Sequence, residues 1–217
     1  MMSRVYLVIY MVVVVLLISC DNGGNSVGFS TDEKEVIGQL REGIMPLKVI
    51  TVKEDSLFLR CQALPLGIGE LKSEEFNILQ ERMLLTVNDT TNPGVGIAAP
   101  QVGVSRRVIA VQRFDLPGEP FGIYVNPVIT YYSDSLVLGR EGCLSVPDIE
   151  GMVRRSLEIT LNYNDPEDYL SEMGGGLKVK TETIRGFTAV IFQHEVDHLN
   201  GILFTDKMVG SSPQTEE

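Results

Sequence analysis

The chain has 217 residues, with 29 acidic against 18 basic side chains and a net charge of −11. That balance argues against a nucleic-acid partner, since phosphate binding needs basic patches. The positive mean hydropathy of +0.11 is raised by the first twenty residues and does not make this an integral membrane protein.

Residues 5–18, VYLVIYMVVVVLLI, carry no charge and follow Arg4. The run is short for a spanning helix but fits a signal-peptide h-region, with Arg4 as the positive n-region. LISC, ending at Cys20, resembles the lipobox of bacterial lipoproteins. That implies cleavage after residue 19, a lipid anchor at Cys20 and a membrane-anchored, extracytoplasmic protein. An uncleaved anchor is the alternative, and a start site set too far upstream would make the protein cytoplasmic. Without residues 1–19 there remain 198 residues, 17 basic and 29 acidic, enough for one domain with a sizeable core. Glycine-rich residues 20–30 read as a flexible tether, residues 31–209 as one domain and 210–217 as a loose tail.

The first clear helix runs from about Lys72 to Val87. Ser73 suits its N-cap, and Glu74 and Glu75 in the first turn complement the helix dipole. Phe76, Leu79, Met83, Leu84 and Val87 recur at helical spacing and face the core. Strands follow at 106–114, 121–132 and 156–163, rich in β-branched and aromatic residues. In the last of these, Leu157, Ile159, Leu161 and Tyr163 alternate with polar partners. Asp165–Gly176, with Pro166 and three consecutive glycines, is a loop, and LKVKTETI returns as the partner strand. GFTAVIFQHEVDHLNG then reads as a helix from Phe187 to Leu199, stopped by Asn200–Gly201. Short strands before a late helix indicate an α+β fold.

His194 and His198 are the only histidines in the chain. At i and i+4 both project from one helix face and can grip a single ion. Glu195 lies one position on, rotated by about 100°, within reach of a water without ligating. Ionisable groups on so apolar a helix need partners, and a metal supplies one for the histidines. A catalytic site takes three protein ligands and keeps one position open. No histidine follows the pair, so the third ligand lies upstream. Cys61 and Cys143 are the upstream cysteines beyond Cys20. A disulfide between them, or burial of each in the core, is the plain alternative, and Cys61 is assigned to the core.

EGCLSVP (141–147), GVGIAAPQVG (94–103) and QHEVDHLNG (193–201) together resemble the three signature motifs of peptide deformylases, in the family's order. The resemblance implies a deformylase-like α+β fold, with short antiparallel sheets packed around the histidine helix. It makes Cys143, His194 and His198 the metal ligands and Glu195 the base. The Gln101 amide and the Leu144 N–H become donors to the substrate oxygen. It favours iron(II), although a thiolate with two imidazoles also suits zinc, nickel or cobalt. The implied reaction removes the formyl group from formylmethionyl peptides and releases formate. Val95–Gly96 reads as an edge along which the peptide lies as an added strand, with an ordinary turn as the alternative. A Glu141–Arg155 ion pair is expected behind the cysteine loop, with Arg154 as the substitute partner. Glu150 stands near where familiar members carry an arginine, a departure from the family's pattern. The competing functions are an exported peptidase or amidase acting on another acyl group, and a lipid-anchored peptide-binding module without catalysis.

Overall fold

The computed structural model describes residues 28–39, 43–166 and 177–210. The expected signal segment, most of the tether, all but the first two residues of the Asp165–Gly176 loop and nearly all of the tail lie outside these residues. Among the described residues no helix is long and apolar enough to cross a membrane.

Helix α1 (Thr31–Gly38) starts at Ser30, whose hydroxyl accepts the Glu33 amide while the Glu33 carboxylate accepts the Ser30 amide. This reciprocal cap satisfies two otherwise orphaned donors. Phe29 is buried, so the end of the expected tether already belongs to the folded domain. Two short helices not anticipated from the sequence follow, α2 (Lys53–Leu59) and α3 (Ile68–Leu71). Helix α4 (Glu74–Val87) is capped by Ser73 as expected, through its hydroxyl and the Phe76 amide. Phe76, Leu79, Met83 and Val87 are buried and Leu84 is half-buried. Arg82 is buried as well, donating to the carbonyls of Val36, Ile37, Gly43 and Ile44.

The strands are β1 (Gly96–Ala98), β2 (Val108–Gln112), β3 (Phe121–Tyr132), β4 (Leu136–Cys143), β5 (Val146–Ser156), β6 (Glu158–Asn164) and β7 (Lys180–Arg185). Five of them form an antiparallel sheet in the order β1-β2-β3-β6-β7, and β4 and β5 form a separate hairpin. Alternation along β2 sends Val108 and Ala110 to the core under α4, and Ile109 and Val111 to a second core. That second core is filled by the last helix, α5 (Gly186–Leu199). With both faces covered, β2 is apolar from Val108 to Val111 instead of alternating. The α+β expectation of short antiparallel sheets around the histidine helix is therefore observed.

Two local readings change. Leu157, expected to alternate inward, lies between β5 and β6, donates its amide to Ser135 and is exposed. Cys61 is half-buried beyond the end of α2, not in the core.

Candidate metal centre

Helix α5 brings His194 and His198 onto one side, with ring centroids 5.0 Å apart. Gly201 follows its C-cap at φ +71, a conformation that glycine adopts without steric cost, and an added Cβ there would lie 2.2 Å from the Arg60 carbonyl oxygen. The chain thus reverses tightly and returns Phe204 to stack against His194 at 6.1 Å.

Cys143 ends β4 at the tip of the hairpin, where Leu144 and Ser145 turn the chain and Val146 pairs back with Cys143. It is a free cysteine, so the disulfide alternative falls away. Its Sγ lies 3.3 Å from His198 Nε2, and the ligand atoms of Cys143, His194 and His198 all fall within 4.8 Å of one another. This is the only such cluster among the described residues.

The orientation of His194 is built from behind. Its Nδ1 meets Glu141 Oε2 at 2.9 Å, which leaves Nε2 to ligate. Arg155 grips Glu141 with two hydrogen bonds of 2.8 and 2.9 Å, and its third donor reaches Asp197. Lys207 closes the chain of charges on Asp197 at 2.7 Å. The Glu141–Arg155 pair expected from the sequence is present, and Arg154 is exposed. Asp197 and Lys207 were not anticipated; the charged residue inside an apolar helix was the available signal for the first.

Burial by itself would push the Glu141 carboxyl up. Hydrogen bonds from Arg155 and His194 prevail and hold it at about 2. Burial likewise opposes charge on His194, but its hydrogen bonds to Cys143 and Glu141 raise it to about 10. Burial drives His198 well below its ordinary value. The two histidines are thus pushed in opposite directions, His194 toward its charged form and His198 toward its neutral one.

Glu195 is 4% exposed, and burial pushes it up to about 7. Its Oε2 has no hydrogen-bond partner among the described residues, although a buried carboxylate oxygen ordinarily has one. The orphaned oxygen and the soft, neutral-capable donor set both fit a divalent metal with a water beside it. The carboxyl packs on Gly96 so closely that an added Cβ would lie 2.5 Å from Oε1.

Gln101 lies in the 3-10 turn Ala99–Val102 and is buried. Its Oε1 accepts the Ala98 amide at 2.8 Å, so its amide nitrogen faces Cys143 Sγ at 3.5 Å and Ser145 Oγ at 3.3 Å. Val95, Gly96, Gln101, Leu144 and Glu195 all line one cleft of about 940 Å³ with Cys143 and His194 of the candidate metal cluster. The structure brings every expected site residue together.

A cysteine and two histidines around one point, with a buried carboxylate free beside them, define a centre of the mononuclear metallohydrolase class. Residues 46–214 match the family described as polypeptide deformylase. A peptide deformylase of Symbiobacterium thermophilum is 38% identical over 166 residues, covering 76% of this chain and 69% of that one. One from Prochlorococcus marinus is 38% identical over 131 residues, 60% of this chain, and the match spans 59% of that relative's length. A Met-Ala-Ser-bound class I type b peptide deformylase from Acinetobacter baumannii superposes with a TM-score of 0.63 at 37% identity, covering 76% of this chain and 98% of that one. The chain belongs to the polypeptide deformylase family, whose function is deformylation of N-formylmethionyl peptides.

Gly96→Ala must displace the Glu195 carboxyl while leaving the ligands in place. Displacements of this order cost about 10²-fold in rate; metal content should stay unchanged while deformylation falls by that much. Full activity in this variant would refute the close packing.

Glu141 also sets an acid limit. Its carboxyl is held at about 2 against an ordinary 4.5, which corresponds to about 3 kcal/mol. Because the folded value is depressed, this stability is fully present above pH 4.5 and is lost as pH falls toward 2. Denaturant titrations of the metal-free protein should show Glu141→Gln less stable near neutrality, with the gap closing over that window. A gap that stays constant with pH would exclude the assignment.

Proposed function

We propose that the chain hydrolyses the N-terminal formyl group of formylmethionyl peptides. The observation that carries this is the buried Glu195 oxygen without a partner, beside the converging Cys143, His194 and His198. A divalent metal held by these three side chains supplies Lewis acidity, polarising a carbonyl and easing the ionisation of water. Glu195, raised to about 7, takes one proton from the attacking water and returns it to the departing nitrogen as the C–N bond breaks. Water adds to the formyl carbon, and the products are formate and a free amine. The Gln101 amide and the Leu144 N–H donate to the carbonyl oxygen as negative charge gathers there.

The peptide lies along β1. Gln112 donates to the Val95 carbonyl, so the alternation of an antiparallel ladder turns the N–H and C=O of Gly96 away from β2. β1 is the end strand of the described sheet, and these groups are open to an added strand. Iron(II) is the metal we assign, a borderline-soft ion suited to one thiolate and two imidazoles.

Formate release from formyl-Met but not acetyl-Met peptides tests the reaction against a broader amidase, and release from neither leaves only a peptide-binding module. Metal analysis of anaerobically prepared protein should find iron. Cys143→Ala should lose the metal. Glu195→Gln should retain it without turnover, and Gln101→Ala should lower kcat by about 10²–10³-fold with metal intact. A fully metallated Cys143→Ala protein would remove the ligand assignment.

We also propose that the enzyme acts outside the cytoplasm, anchored by lipid at Cys20. Support comes from Arg4, the uncharged run 5–18 and the LISC box alone, all outside the described residues. Bacterial lipoproteins carry more than one acyl chain, which suffices for stable anchoring. Cell fractionation should place the full chain in the membrane and Cys20→Ala outside it. A soluble cytoplasmic protein, unmodified at Cys20, would defeat this assignment.

A further inference from the structure

The cleft that contains Glu195 has two chemically different parts. Val190 and Ile191 stand one helical turn before His194, and Leu144 follows Cys143, so the lining beside the ligands is apolar. The β5 end of the hairpin contributes Asp148, Ile149 and Glu150, all exposed, to the same cleft. A peptide whose formyl group reaches Glu195 lies in the same cleft as this rim.

The charges of this cleft are unequally committed. Glu141 is buried and bound by Arg155 and His194. Among the described residues Arg140 is the only arginine or lysine in the lining, and it is held in an ion pair by Glu150. Asp148 has no hydrogen bond or ion pair among the described residues. Its backbone is left-handed, at φ 62, a conformation that aspartate and asparagine tolerate better than most residues. A carboxylate on an incoming peptide therefore finds no free cation and one free anion. An ammonium or guanidinium finds an uncommitted partner.

Resting on the deformylase reading, we propose that Asp148, with Glu150 beside it, is a specificity-determining residue. It selects formyl peptides that carry a lysine or arginine soon after the methionine. The unpartnered Glu195 oxygen marks where the formyl end sits, and the free Asp148 marks what the following residues should carry. An exposed ion pair of this kind is worth up to about 5-fold in affinity at low salt, and it is screened as ionic strength rises.

The test compares kcat/KM for formyl-Met-Ala-Lys, formyl-Met-Ala-Ser and formyl-Met-Ala-Glu on the metal-loaded protein. At low ionic strength the lysine peptide should lead the glutamate peptide by about 5-fold or more, through KM. The spread should shrink in about 1 M salt, where screening acts within about 3 Å. Asp148→Asn, which preserves the left-handed backbone, should narrow it, and adding Glu150→Gln should narrow it no less. Glu54→Gln, an exposed acid on α2, should leave it unchanged and so separate the rim from the net charge. Equal kcat/KM for the three peptides, or a spread that survives both high salt and Asp148→Asn, overturns the inference and leaves the deformylase reading standing. The salt series needs no variant to fold. Formate from none of the three peptides overturns the deformylase reading itself.

Discussion

The Glu141 carboxylate is the point at which two separate parts of the fold become one site. It sits on the hairpin, two residues before Cys143, and one of its oxygens fixes the Nδ1 side of His194 on α5. Arg155, from the opposite strand of the same hairpin, neutralises it with both arms and reaches across to Asp197 on the helix. Cys143 and His194 are thus tied through one buried ion network, alongside the Gln193 side chain of α5, which bonds both the amide and the carbonyl of Ser156 on β5. Such networks are poor sources of net stability, because desolvation consumes much of the Coulombic gain. What this one contributes is direction. With Nδ1 committed to Glu141, only Nε2 remains for a metal.

A second constraint is steric. Glu195 can lie flat against β1 only because position 96 has no side chain, and the same glycine turns its backbone amide and carbonyl out of the sheet. One residue thereby lets the Glu195 carboxyl approach that edge of the sheet. This fits the absence, among the described residues, of regular pairing on that side of β1, a three-residue strand joined at once to the 3-10 turn that carries Gln101. Gly96 and Gln101 thus belong to one short segment, and Glu195 to the helix packed on it.

Much of this was legible in the sequence, and for identifiable reasons. The i, i+4 histidine pair and the apolar period of α4 are local patterns, and local patterns survive into structure. β3 was bounded by its composition at the residues observed, 121–132. The β4–β5 hairpin was missed because glycines and charges interrupt its alternation: Leu136, Leu138 and Arg140 are all exposed on one face. Its register is set by the tertiary network around Glu141 and not by a hydrophobic stripe. Arg82 was invisible for a related reason. It occupies a helical position that charge would place in water, yet four carbonyls from the segment 36–44 enclose it. Only long-range contacts could have revealed Asp197 as Arg155's second partner.

The depth of Glu195 also has a chemical consequence. A cation beside a carboxylate lowers its pKa, since it favours the ionised form. A solvent-exposed glutamate placed next to a divalent ion would therefore be held as a weak base, reluctant to accept a proton at neutral pH. Glu195 starts from about 7 because burial disfavours its charge, so the pull of an adjacent metal is applied to a raised baseline. The close packing against Gly96, which leaves Glu195 only 4% exposed, maintains that baseline. Burial is in this sense the counterweight to the metal. It lets one carboxylate sit beside a cation site and still exchange a proton within the range where a general base is useful.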